Sequence, residues 1–79
     1  MKVIVYTTPI CSYCHMVKDF LKENKIEFEE INVAEDQEAA QEMVKKSGQM
    51  GVPVTEITNG NTEMIIGFDK EKLKKALKL

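Results

Sequence analysis

The chain has 79 residues, 43% of them hydrophobic and 30% charged, the balance of one small globular domain (1–79) without a bias towards disorder. Its 11 basic residues, all lysine, face 13 acidic ones, and a net charge of −2 gives no electrostatic footprint for nucleic acid. No apolar run reaches the ~18–20 residues that cross a bilayer, and the N-terminal run is too short for a secretory signal, so the chain reads as soluble and cytoplasmic, with no membrane partner. A reducing cytosol does not favour a structural disulfide between its two cysteines.

Val3-Ile4-Val5-Tyr6 is a short β-branched run of the kind buried on both faces of a sheet. Thr7-Thr8-Pro9-Ile10 breaks it, and from Cys11 to Glu23 apolar residues at Cys14, Val17, Phe20 and Leu21 form a helical stripe. Asn24 is expected as a left-handed stop. Ile26, Phe28, Ile31 and Val33 predict a second strand. Asp36 to Lys46 predicts a second helix with Ala40, Met43 and Val44 on its inner face and Gly48 as its cap. Val52–Ile57 and Glu63–Ile66 flank Thr58-Asn59-Gly60-Asn61, a strong hairpin signal. Asp69 caps a last helix with Leu73, Ala76 and Leu77 inward, and Phe68 and Leu73 have the spacing of a hydrophobic staple. The order β-α-β-α-β-β-α predicts an α/β fold: a right-handed parallel βαβ unit extended by an antiparallel hairpin into a mixed sheet, with helices on both faces. Glu56 falls inside a strand of that sheet, so it is expected either to lie at the margin or to pair with a lysine.

Both cysteines lie in Cys11-Ser12-Tyr13-Cys14, where the first strand turns into a helix. Unpaired N–H groups and the helix dipole at that end favour a thiolate at Cys11. Cys14 shares a face with Val17 and Leu21 and should be more buried. An exposed sulfur beside a sheltered one suits disulfide exchange: Cys11 attacks and Cys14 resolves the mixed disulfide. Cys11 to His15 also fits the C-x-x-C-H haem attachment pattern, but without an export signal or a preceding helix that reading is weak. Zinc needs four ligands, and only Cys11, Cys14 and His15 are at hand. Two ordinary core cysteines are a further reading, disfavoured by their position at a helix start. His15 reads as a solvated helix residue, and Met16 and Met50 give no sign of an axial ligand.

Val3–Thr7 followed by Cys11–His15, then Gly51-Val52-Pro53, then Gly67-Phe68-Asp69, resembles a glutaredoxin along the whole chain. The resemblance implies the minimal thioredoxin fold, with a four-stranded mixed sheet and three helices. It implies a thiol–disulfide oxidoreductase with Cys11 and Cys14 as catalytic residues and a substrate groove shaped by Tyr13, Val52, Pro53, Phe68 and Asp69. It further implies that Pro53 is a cis-proline facing Cys11 and that the Val52 backbone pairs with a substrate chain. Its partners would be glutathione, as reductant or substrate, or a disulfide-containing client protein; no resident cofactor is required.

Three departures from the family bear on substrate. Many glutathione-dependent glutaredoxins have a basic residue where this chain has Thr8, Gly51 replaces the usual threonine, and Asp69 is followed by Lys70 rather than by a second acid. Asp69 and the adjoining helix start match the γ-glutamyl end of glutathione, whereas the chain has no arginine to fork the glycyl carboxylate. A second reading is therefore a glutaredoxin-like redoxin reduced by thioredoxin reductase and serving ribonucleotide reductase, whose Ser-Gly-Phe resembles Ile66-Gly67-Phe68. A third, from a different class, is a dimeric [2Fe-2S]-binding glutaredoxin, because Ser12 stands where proline is commoner.

Overall fold

Side chains along strand β1 (Lys2–Thr7) alternate between two cores, as the pleat requires. In this computed structural model, which describes residues 2–48 and 51–78, Val3 and Val5 lie on one face of the sheet and Ile4 and Tyr6 on the other. Met50 falls outside the described residues. The first face is covered by helix α1 (Ser12–Glu23) through Val17, Phe20 and Leu21, and by helix α3 (Lys70–Leu77) through Leu73, Ala76 and Leu77. The second is covered by helix α2 (Gln37–Ser47) through Ala39 and Met43. Each fully buried large apolar side chain contributes ~1.5–3 kcal/mol, and two thin layers of them are what a chain of this length can assemble.

Strands β2 (Glu29–Asn32), β3 (Val54–Asn59) and β4 (Asn61–Ile66) complete a sheet of order β2-β1-β3-β4. β1 pairs parallel with β2 and antiparallel with β3, and β3 pairs antiparallel with β4. This is the minimal thioredoxin arrangement expected above, with three helices and a four-stranded mixed sheet.

Local features differ from the sequence expectation for identifiable reasons. The left-handed residue after α1 is Lys25 (φ 56°), not Asn24. Asn24 keeps φ −92° and spends its side chain on the helix end, donating Nδ2–H to the Phe20 carbonyl at 2.9 Å. The Ile26 N–H then bonds the Leu21 carbonyl at 2.9 Å, so Ile26 closes α1 rather than opening β2. Ile26 and Phe28 pack on the first core without joining the ladder, while Ile31 and Val33 pack on the second. β3 begins at Val54, after a cis Val52–Pro53 bond, because proline has no N–H for a ladder. The hairpin is tighter than expected: Asn59 faces Asn61, and only Gly60 (φ 81°), in a conformation glycine adopts freely, lies between. In α2, Ala39 takes the buried position and Val44 is exposed.

Glu56 takes the paired alternative. It is buried at 6% exposure in a central strand, opposite Ile4 and Met64. Its Oε1 accepts from Lys46 Nζ at 3.0 Å and its Oε2 from the Tyr6 hydroxyl at 3.3 Å, which ties α2 to β1 and β3.

Candidate functional site

Four chain segments meet at one end of the sheet because of strand register. Tyr6 faces Val54 in the β1–β3 ladder, and Val54 faces Ile66 in the β3–β4 ladder. The loop leaving β1 (8–11), the segment entering β3 (51–53) and the segment leaving β4 (67–69) therefore lie side by side. Parallel β2 ends there too, where Val33 N–H donates to the Thr7 carbonyl at 2.9 Å. The Gly67 N–H donates to the Pro53 carbonyl at 2.8 Å and binds two of these loops together.

Cys11 closes a turn through its N–H to the Thr8 carbonyl (3.3 Å) and becomes the N-cap of α1 in extended conformation. Its Sγ accepts the Cys14 N–H at 3.2 Å, the role usually filled by a serine or aspartate oxygen. The sulfur is half-buried and faces an orphan donor at a helix start, so negative charge there meets a charge-assisted hydrogen bond. Cys14 points inward and is only 1% exposed. Burial pushes its thiol up to about 12, its hydrogen bond to Cys11 adds to the rise, and the Thr8 backbone and Lys18 ammonium oppose it. Brief alkylation of the reduced protein near neutral pH should therefore label Cys11 and spare Cys14; a peptide mass map with equal labelling would contradict this geometry.

The other residues singled out in the sequence occupy distinct places. Tyr13 stands 60% exposed on the first turn of α1, flanked by exposed Ile10 and Met16. Val52 is half-buried and Pro53 is buried at the entry to β3. Phe68 is as much core as surface: it packs on the first core with its ring edge-on to Phe20 (6.3 Å between centroids, 75° between planes) and with Lys70 Nζ 5.9 Å from its centroid. Asp69 caps α3, its Oδ1 accepting the Lys72 N–H at 3.1 Å. His15 is exposed. Among the described residues no three His, Cys, Asp or Glu side chains come together as a metal site, so a [2Fe-2S] centre would need ligands from outside the chain.

A charged network that starts one helical turn beyond Cys14 was not singled out in the sequence. Glu30 Oε2 accepts from both Lys18 Nζ and Thr7 Oγ1, each at 2.9 Å. The Lys18 and Thr7 hydrogen bonds hold the Glu30 carboxyl below its ordinary value. The i,i+4 spacing of Cys14 and Lys18 is visible in the sequence, but the approach of Glu30 follows only from the β1–β2 register, in which Val5 faces Glu30.

The glutaredoxin family profile matches residues 3–61. A glutaredoxin-like 8.6 kDa protein of the rubredoxin operon of Clostridium pasteurianum is 41% identical over 73 residues, covering 92% of this chain and 93% of its own. The crystal structure of a glutaredoxin from Archaeoglobus fulgidus superposes with a TM-score of 0.85 at 25% identity, over 99% of this chain and 87% of that one. The Escherichia coli NrdH-redoxin, described as a glutaredoxin-like protein with a thioredoxin-like activity profile, superposes at 0.81 with 28% identity, over 95% of this chain and 93% of its own.

Proposed function

The chain belongs to the glutaredoxin family, and from that premise we propose that it is a thiol–disulfide oxidoreductase acting through the Cys11–Cys14 dithiol in the reducing cytoplasm. Cys11 thiolate attacks one sulfur of a substrate disulfide, forming a mixed disulfide and expelling the other sulfur as a thiolate. Cys14 thiolate then attacks the Cys11 sulfur, forming the Cys11–Cys14 disulfide and releasing the second thiolate. Two electrons pass from the dithiol to the substrate, and an external thiol or reductase restores them. The observation that carries this reading is the asymmetry of the pair: an accessible N-cap sulfur hydrogen-bonded to the backbone of a buried one. Tyr13, Val52, Pro53, Phe68 and Asp69 form the groove that receives the substrate. Asp69 has one carboxylate oxygen beyond its cap bond for the amine of a γ-glutamyl group.

Specific observations favour a second reading, in which a thioredoxin reductase rather than glutathione supplies the electrons. Thr8 stands three residues before Cys11, the chain has no arginine, and the surface flanking Cys11 is apolar at Ile10 and Met16. The similarity to a redoxin with a thioredoxin-like activity profile points the same way. Reducing the oxidised protein in parallel with glutathione and with NADPH plus thioredoxin reductase, and comparing rates, decides between the two. Failure of both to reduce it would remove the oxidoreductase reading. Visible absorbance in anaerobically purified protein would instead assign Cys11 to a shared [2Fe-2S] cluster.

Thr8→Lys tests the glutathione side directly. An ammonium ~4 Å from the sulfur is worth about 1–4 kcal/mol to a thiolate between water-like and surface dielectrics, whereas a threonine hydroxyl offers one hydrogen bond. The substitution should favour the Cys11 thiolate and raise activity on glutathione mixed disulfides together. Thiolate absorbance against pH on a Cys14→Ser background, with deglutathionylation assayed with Cys14 intact, checks both. Unchanged values would mean that another group already does the lysine's work.

A further inference from the structure

In the dithiol reading, one step runs against the environment of its reactant. Cys14 must carry negative charge before it can attack, yet it sits inside the fold, where burial disfavours the ionised sulfur. A compensating charge lies on its own helix. Lys18 follows Cys14 by four residues on α1, so the two occupy successive turns of one helix face, with β-carbons ~5–6 Å apart. Its side chain is only 17% exposed and is held down at its far end by Glu30. The same Glu30 oxygen takes the hydroxyl of Thr7, and Thr7 is bonded in sequence to Thr8, whose backbone reaches Cys14. The end of β1, the second turn of α1 and β2 thus fix one ammonium on the helix face that carries the sheltered thiol.

We infer that Lys18 is a positioning residue for the resolving step, held by Glu30 and Thr7 so that its positive charge favours the Cys14 thiolate that attacks the Cys11 sulfur of the mixed disulfide. The inference deepens the thiol–disulfide reading and rests on it. In this role Lys18 supplies field and takes no proton from Cys14, whose proton goes to solvent. Glu30 is a poor proton acceptor, because Lys18 and Thr7 hold its carboxyl low. It therefore acts as the tether, and its own negative charge offsets part of the ammonium's effect. Cys11 disfavours the Cys14 thiolate only in the reduced dithiol, and no longer does so once its sulfur is in the mixed disulfide; exposed His15 acts on Glu30 from the outside.

The opposite signs of Lys18 and Glu30 make the test sharp. Reduced protein mixed with excess dithiobis(nitrobenzoate) releases one coloured thiolate when Cys11 attacks and a second when Cys14 resolves, so stopped-flow absorbance times both steps. Lys18→Met should leave the first step within about two-fold and slow the second by about two- to four-fold, moving its rate-against-pH curve ~0.3–0.6 unit to higher pH, because higher thiolate nucleophilicity compensates part of the lost ionisation. Glu30→Gln, which keeps an oxygen for Lys18 and Thr7 but removes the charge, should move the curve to lower pH, and Lys18→Arg should restore the wild-type position. A Lys18→Met protein with the wild-type pH curve overturns the inference. So do shifts of the same sign in Lys18→Met and Glu30→Gln that track loss of stability in urea. A Cys14→Ser protein that still releases the second thiolate would instead remove the dithiol reading, independently of Lys18.

Discussion

Cys11→Ser should abolish disulfide exchange, and Cys14→Ser should stop it half-way. Cys11 and Cys14 are the only thiols in the chain, and they are not equivalent: Cys14 is 1% exposed, and its burial both shields the sulfur and disfavours its thiolate, so it is a poor substitute for Cys11 as the attacking group. With Cys14 replaced, attack by Cys11 still occurs, but the mixed disulfide has no internal nucleophile to release it and accumulates. Intact-mass measurement after a challenge with a small disulfide should find Cys14→Ser carrying a stable adduct on Cys11 and Cys11→Ser unmodified. An adduct on Cys14 of the Cys11→Ser protein, formed at a comparable rate, would reverse the two roles.

A loss of stability specific to one polar contact is expected in the Tyr6–Glu56–Lys46 network. Lys46→Met leaves a carboxylate at 8% side-chain exposure with only a hydroxyl at 3.3 Å. Loss of one partner of a fully buried pair costs ~3–5 kcal/mol. Here the lysine is 44% exposed, so solvent screening reduces the expected cost to about 1–2 kcal/mol. Glu56→Val should cost about as much, because it strands the buried Tyr6 hydroxyl. The informative comparison is the cycle: once Glu56 is valine, Lys46→Met should cost almost nothing in a urea titration. Additive losses would mean that the pair does not couple α2 to the sheet. The pH dependence has one sign. Both Lys46 and Tyr6 are raised, Lys46 chiefly by its bond to Glu56 and Tyr6 chiefly by burial. The network's contribution is therefore present at neutral pH, below the unfolded values of both groups, and is lost as pH rises above ~10.

Much of the fold was legible in the sequence because its signals are local. The β-branched run at Val3–Tyr6, the spacing of Cys14, Val17, Phe20 and Leu21, the caps Gly48 and Asp69, and Asn59-Gly60 each act within a few residues. Short-range sterics, capping and periodicity determine such elements before any tertiary contact forms. The same locality made the dithiol legible, since a helix N-terminus and a three-residue spacing suffice to set one cysteine at the cap and turn the other inward.

The ends of elements and the charged pairs were decided by the tertiary structure. Lys25 rather than Asn24 became left-handed because Asn24 could use its amide on the Phe20 carbonyl, and Ile26 and Phe28 were drawn to the first core without a strand partner. Ala39 displaced Val44 from the inner face of α2 because the helix's rotation is fixed by the sheet it lies on. Glu56 met Lys46 across ten residues and Tyr6 across fifty, and Glu30 met Lys18 across twelve. These partners are chosen by strand register and by the way helices dock. Both depend on the whole set of buried side chains at once, so no window of sequence contains them.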